Sequence, residues 1–275
     1  MDNLTEPSLG AQGSVQGETP ALRLFALLEL ITSRDQLFTL QSLVDQTGLP
    51  KPTLHRMLQQ LESADLLTRH SDGRHYATGA RMRRLAEDVL LNDTRKGARN
   101  AILQDLVSRI GESCNITALS GNEVIYLDRV ETSEPIRVHL GPGSRVPAHC
   151  SASGKLIIAQ FGPAQRRRLL GTGRLPRYTE QTLTDFEALE SELALVRQQG
   201  FALDRQEFLN GLVCLAVLVP NAAGRSNMCV AIQAPVMRKS ASDLEQLLPL
   251  VQQAAADIAR IEDLEEDDSP LAAGW

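Results

Sequence analysis

The sequence predicts an α+β chain in two parts: a winged helix-turn-helix at the N-terminus and, beyond a helical connection, a larger domain in which strands and helices are mixed. Three observations carry this. Between residues 39 and 77, two short amphipathic patterns meet at a Gly-Leu-Pro turn and run into a hairpin signal. From Ser113 onward, apolar runs of strand length are interspersed with helical periodicities. A length of 275 residues is enough for two hydrophobic cores.

The first 18 residues are rich in Gly, Ser, Gln and Pro without apolar periodicity and read as a disordered tail. Residues 20–32 have helical spacing, with Thr19 as cap and Pro20 in the first turn. Thr39 caps a second helix whose apolar stripe is Leu40, Leu43 and Val44, and Gly48 follows where that helix should stop. Leu49-Pro50-Lys51-Pro52 makes a turn and opens a third helix. There Leu54, Met57, Leu58 and Leu61 lie at i, i+3, i+4 and i+7 and should be buried. Thr53, His55, Arg56, Gln59 and Gln60 fall on the other side. Residues 66–69 and 74–77 read as strands joined by a turn containing Asp72-Gly73.

The formal net charge of −6 argues at first against a nucleic-acid partner. Its distribution reverses that. Six acids crowd residues 262–268 and three more lie in the first 18, leaving 25 acids against 28 bases in the body. Residues 47–84 carry seven bases and three acids. A recognition helix enters the major groove by its N-terminal end. Lys51, Thr53, His55 and Arg56 occupy that end, suited to phosphates and base edges, and Arg69 and Arg74 flank the wing turn. The alternative is a helical module that binds protein, its charges merely solvated.

Residues 78–91 read as a helix leaving the wing, and residues 95–110 as another. Asn115–Leu119 and Glu123–Leu127, joined through Gly121-Asn122, form a hairpin, with a third strand at 136–140. A glycine loop at 141–143 precedes Val146-Pro147-Ala148-His149. Helices are expected at 153–161, 184–199 and 241–261, and strands at 201–204, 213–219 and 228–233.

The four cysteines, Cys114, Cys150, Cys214 and Cys229, form no Cys-x-x-Cys pair, and the five histidines show no metal spacing. No metal or other cofactor is expected. The cysteines read as free thiols in a reducing cytosol. With neither a signal peptide nor an apolar run of membrane length, the chain is expected in the cytoplasm. Gly154-Lys155 lacks the remainder of a phosphate loop, Ser151 and Ser153 are out of register with Lys155 for a nucleophile pair, and His149 beside Cys150 should point the opposite way. Asp204, Arg205 and Glu207 read as a solvated loop.

Three stretches, in this order and spacing, resemble the IclR family of bacterial transcriptional regulators. They are the twelve residues from Thr47 to Leu58, the ten from Val146 to Lys155, and Gly200-Phe201-Ala202-Leu203-Asp204 with Gly211-Leu212-Val213-Cys214-Leu215-Ala216. The resemblance covers about residues 20–261. It implies a winged helix-turn-helix DNA-binding domain (19–79), a linker helix (80–95) and a GAF-like effector-binding domain (96–261), between the tails 1–18 and 262–275. It also implies a homodimer or dimer of dimers that binds promoter DNA, senses a small organic or aromatic acid, and represses or activates a catabolic operon.

By position, the resemblance places Val138, Val146, Ala152, Ser153, Asp204, Leu212, Cys214 and Gln233 at the effector. Gln233 and Pro235 fall where several family members carry serines, and Pro235 offers neither hydroxyl nor N–H. A carboxylate would take donors from the start of the helix near Ser153 and from Ser151, Ser153 and Gln233. Asp204 would repel it unless protonated or accepting from an effector hydroxyl, which favours a hydroxylated or oxo acid. The alternative from another class is a small-molecule enzyme on the same domain, centred on His149, Cys150 or Cys214. The expectation is a regulator without catalytic residues.

Overall fold

The computed structural model describes residues 19–32, 38–70, 72–92, 95–221 and 224–267, with side chains to residue 262. The N-terminal tail expected at 1–18 lies outside the described residues, as does 268–275. The chain divides into two compact units, with the break between Ala86 and Glu87.

The first unit opens with α1 (Pro20–Thr32), where Thr19 Oγ1 accepts from the Leu22 N–H at 3.3 Å. A two-residue strand, β1 (Phe38–Thr39), leads into α2 (Leu40–Thr47). Thr39 and Ser42 form a reciprocal capping box, each side chain accepting from the other's backbone N–H at 3.1 and 3.0 Å. Gly48, with φ of 67°, takes the left-handed conformation that ends α2. Helix α3 (Lys51–Ser63) follows, with Pro52 in its first turn. Strands β2 (Leu67–Arg69) and β3 (His75–Thr78) complete an antiparallel sheet in the order β1-β3-β2. The unit's core joins Leu27, Phe38, Leu43, Leu54, Leu58 and Tyr76. Strand β1, absent from the sequence reading, is too short to leave a periodicity; Phe38 and Thr39 pair with Tyr76 and His75.

Helix α4 (Ala80–Leu91) has no fully buried residue. Its Met82 packs on the core of the first unit, while Leu90 and Leu91 pack on that of the second.

The second unit contains α5 (Lys96–Ile110), β4 (Ser113–Ser120), β5 (Glu123–Val130) and β6 (Arg145–Pro147). A 3-10 turn, Ala148–Cys150, leads into α6 (Ala152–Ala159), and α7 (Pro163–Leu170) and α8 (Phe186–Gln199) come next. Then come β7 (Phe201–Arg205), β8 (Leu212–Leu218), β9 (Met228–Pro235), α9 (Ala241–Gln246) and α10 (Leu248–Asp267). The six strands form one antiparallel sheet in the order β6-β5-β4-β9-β8-β7.

Both faces of this sheet are covered. On one, Ile116, Leu127, Leu215 and Ile232 pack with Leu103, Val251 and Ile258 of α5 and α10. On the other, Tyr126, Cys214 and Ala231 share a cluster with Leu156, Leu189 and Leu193 of α6 and α8. Strict alternation would set Tyr126 and Arg129 on opposite faces. A register shift, in which Ile116 pairs with Asp128 and Thr117 with Tyr126, inserts Leu127 as an extra residue. It brings Tyr126 and Arg129 to the same side, next to Gln233 of β9.

Several sequence expectations need correction. Residues 136–140 form no strand; the Arg129 guanidinium donates to the Val138 carbonyl at 2.5 Å, and the ladder partner of β5 is β6. The expected helix at 241–261 is two helices, because Pro249 lacks the N–H that would continue α9. Helix α7 lies in a stretch the sequence reading passed over, opened by Gly162-Pro163. The acidic run read as a tail continues α10 to Asp267, and Glu262 belongs to the fold: it pairs with Arg95 at 2.7 Å and with Arg99 at 3.2 Å.

Candidate functional site

On the first unit, the α3 side chains divide as its periodicity requires. Leu54, Met57, Leu58 and Leu61 are buried, Lys51, His55 and Arg56 are exposed, and Thr53 is half-buried. The exposed set lies at the N-terminal end of the helix, with α2 and the Gly48-Leu49-Pro50 turn behind it. In the wing, Asp72 Oδ1 accepts from the backbone of Arg74 at 2.8 Å and of His75 at 3.1 Å, and Oδ2 meets His75 Nδ1 at 2.5 Å. These bonds, the backbone bond from Arg74 first, hold the Asp72 carboxyl well below its usual range. The turn is thereby fixed with the Arg74 side chain in solvent. Arg69 is exposed too, but its Nε donates to Glu62 Oε2 at 3.0 Å and its guanidinium lies 5.2 Å from the centre of the Tyr76 ring. It therefore braces the wing on α3 as well as presenting charge.

On the second unit, a small cavity of about 20 Å³ lies between the sheet and the start of α6. Of the residues that the resemblance places at an effector, Val146, Ala152, Ser153, Asp204, Leu212, Cys214 and Gln233 line this one cavity. Val138 does not; it packs half-buried against the apolar cluster to which Tyr126, Val146 and Leu212 belong. Asn115, Thr117, Val124, Tyr126, Phe208 and Ala231, which the sequence reading did not single out, line it as well. A signal for two of these is present in β4. Asn115 and Thr117 alternate with Cys114, Ile116 and Ala118 in a strand buried on both faces, so polar residues stand at core positions.

The roof is held by local rules. Ser151 caps α6, accepting from the Gly154 N–H at 3.3 Å while its hydroxyl donates to the Pro147 carbonyl at 2.9 Å. A Cβ at Gly154 would lie 2.3 Å from the Ala148 carbonyl oxygen, so only glycine lets the 3-10 turn pack this closely on the helix. Lys155 is fully buried, and its ammonium donates to Glu207 at 2.5 Å and Glu192 at 2.9 Å. This ties α6 to α8 and to the loop after β7. Asp204, Arg205 and Glu207 are thus not a solvated loop as expected: Asp204 and Glu207 are buried, and only Arg205 is exposed.

Asp204 Oδ1 accepts from the backbone of Glu207 at 2.7 Å and, more weakly, of Phe208 at 3.4 Å. Burial, helped by the neighbouring Glu207 charge, nonetheless pushes the Asp204 carboxyl up to about 7. At the other side, Gln233 accepts from Arg129 and donates to the Tyr126 hydroxyl. Burial pushes the Tyr126 hydroxyl and the Cys214 thiol up, so both stay protonated at neutral pH.

His149 and Cys150 sit in the 3-10 turn, not on a strand. His149 Nε2 lies 3.0 Å from the Pro176 carbonyl, its ring packs near Tyr178, and burial pushes the Cys150 thiol up. A neutral buried thiol is a poor nucleophile. All four cysteines are buried and free. Among the described residues, no group of three or more His, Cys, Asp or Glu side chains is arranged to hold a metal ion. No helix of the described residues is long and apolar enough to cross a membrane.

Two family models match: the IclR helix-turn-helix domain over residues 20–71, and the C-terminal domain of the bacterial transcriptional regulator IclR over residues 93–260. The chain is 44% identical over 240 residues to the "Probable transcriptional regulator SauR" of Cupriavidus necator, covering 87% of this chain and 95% of that protein. It is 29% identical over 250 residues to the transcriptional repressor IclR of Escherichia coli, covering 90% of each. In three dimensions it matches an IclR homologue from Microbacterium hydrocarbonoxydans, solved in complex with 4-hydroxybenzoate, with a TM-score of 0.54 at 24% identity over 86% of this chain and 96% of that one. This last likeness concerns the fold. The winged head with its exposed basic helix end, the six-stranded domain and these matches lead to one conclusion: the chain belongs to the IclR family of bacterial transcriptional regulators.

Proposed function

We propose that this regulator binds operator DNA as a dimer through the N-terminal end of α3 and the wing, and that a small organic acid bound in the cavity of the second unit changes its affinity for DNA. Lys51, Thr53, His55 and Arg56 face the groove in this reading, Arg74 meets phosphate, and Arg69 adds charge while bracing the wing. Target genes of a catabolic operon fit a sensor of a small acid.

The observation that carries the effector reading is the buried cavity in which Val146, Ala152, Ser153, Asp204, Leu212, Cys214 and Gln233 converge at the start of a capped helix. The first-turn N–H groups of α6 that Ser151 does not take up favour an anion there. Tyr126, Val124, Leu212 and Ala231 supply an apolar surround, and an Asp204 that is largely protonated below pH 7 does not repel a carboxylate. Such a ligand shifts DNA affinity only by preferring one arrangement of the dimer, with a coupling of about 1–3 kcal/mol.

The test is operator binding by the full chain at fixed salt, with and without small acids. Acid binding should change operator affinity by about 5- to 150-fold, the range of that coupling. Arg56→Ala should weaken operator binding and leave acid affinity unchanged. Operator affinity indifferent both to every binding acid and to Arg56→Ala would refute the reading.

A further inference from the structure

We propose that Phe208 is the door of this cavity: its ring closes the wall that reaches solvent, and its bulk sets which molecules enter. The inference rests on the acid-sensing reading for the nature of what enters, but not for the way in.

A cavity of about 20 Å³ has room for about one water molecule, whereas a site that encloses a small organic molecule is usually about 300 Å³ or more. Entry of an acid therefore requires a wall to give way. Among the described residues, fourteen line the cavity; thirteen of them are buried, and Phe208 is half-buried. The sheet walls are fixed by the ladders that join β4, β5, β8 and β9. The α6 wall is clamped by the Ser151 cap and by the ion pairs of Lys155. Phe208 stands instead in the loop of residues 206–211 that joins β7 to β8.

That loop is pinned at its two ends. The Thr179 hydroxyl donates to the Gln206 carbonyl and the Thr182 hydroxyl to the Glu207 carbonyl, each at 2.7 Å. Gln206 Oε1 accepts from the Gly211 N–H at 2.9 Å. Gln206 and Gly211 both hold left-handed backbone, with φ of 65° and 82°. The Phe208 N–H reaches Asp204 Oδ1 at 3.4 Å, the longest of these bonds. Its side chain is held by packing alone, against the cavity on one side and Tyr178 on the other. The two ring centres are 5.6 Å apart, and Tyr178 is 46% exposed. A swing of the Phe208 ring to the surface side, where Tyr178 stands, therefore opens the cavity while the bonds that pin the loop stay in place. Such a rotamer change needs no movement of the sheet or of α6.

Cys214 lines the cavity, and its buried thiol reports on the door without any effector. The experiment is labelling of the full-length protein with methyl methanethiosulfonate at pH 8, the rate at each cysteine being read by peptide mass spectrometry. Cys114, in the core on the other face of the sheet, reports on unfolding. Phe208→Ala should speed labelling of Cys214 relative to Cys114 tenfold or more, Phe208→Leu should do so less, and Phe208→Trp should slow it. The bulkier N-ethylmaleimide should gain more from Phe208→Ala than the small reagent does. Phe208→Leu carries the test if Phe208→Ala exposes both cysteines alike. A ratio of Cys214 to Cys114 labelling that is the same in the wild type and the folded variants overturns the proposal, and an equal gain for both reagents overturns the sorting by size. Protection of Cys214 by acetate, butyrate or benzoate tests the acid-sensing reading separately: labelling that answers to Phe208 but to none of these acids upholds the door and counts against the acids.

Discussion

Asp204 shows how one buried residue couples the cavity to pH. Its carboxyl is pushed up to about 7 by burial and then by the Glu207 charge. Because the folded value lies above the unfolded one, folding favours the protonated form. That contribution to stability is complete below the ordinary aspartate range and is lost as pH rises toward 7. Asp204→Asn removes the ionisation while keeping an oxygen for the Glu207 N–H. The gain in melting temperature of the variant over the wild type should grow between pH 4 and pH 7 and level off above; thermal melts across that range check it, and a gain independent of pH would show that Asp204 does not titrate as described. Seven cavity residues were legible from the spacing of family motifs. Val138 is not among them, and motif spacing cannot reveal that residues 136–140 form no strand. Asn115 and Thr117 were missed because, in a linear reading, a polar residue in a strand looks like a solvent-facing one; only the helices packed on both faces make it unusual.

At the scale of elements, the second unit is held together by charge as well as by apolar packing. Arg99 of α5, 1% exposed, donates to Asp128 of β5 at 2.6 Å and to Glu262 of α10 at 3.2 Å. One guanidinium thus joins two helices to the sheet. Removing one member of a buried pair strands the other, at a cost of about 3–5 kcal/mol. Asp128→Ala should lose that much in urea unfolding, and a loss under 1 kcal/mol would show that Glu262 alone suffices for Arg99. Elements set by local rules were readable: the Thr39 cap, the Gly48 stop, the hairpin at Gly121-Asn122 and the Asp-Gly wing. Those set by distant partners were not. Strand β1 pairs along the edge that β3 offers, and β6, not residues 136–140, pairs with β5, while Arg129 engages the Val138 carbonyl. The acidic end of α10 was read as solvent-facing from composition, yet Glu262 answers two arginines that are remote in sequence.

Over the whole molecule, net charge is a poor guide and its distribution a good one. The count of −6 hides a body with more bases than acids, and the excess sits where α3, the wing and the start of α4 lie. The positive charge is carried almost wholly by arginine: the only lysines are Lys51, Lys96, Lys155 and Lys239. Lys155 is fully buried between Glu207 and Glu192, whereas Lys51 stands exposed at the start of α3. To an amine-acylating reagent read by mass spectrometry, the folded chain therefore presents one exposed amine, which DNA should shield if α3 binds it as proposed, and another that only unfolding uncovers. Operator DNA should slow acylation of Lys51 and leave Lys155 unlabelled. Mild urea should make Lys155 reactive at the rate at which the second unit opens, and a bound acid should slow that rate. Rapid labelling of Lys155 in the native protein would contradict its burial. The same ion pairs that fix α6 over the cavity thus make a single lysine a chemical clock for the effector domain.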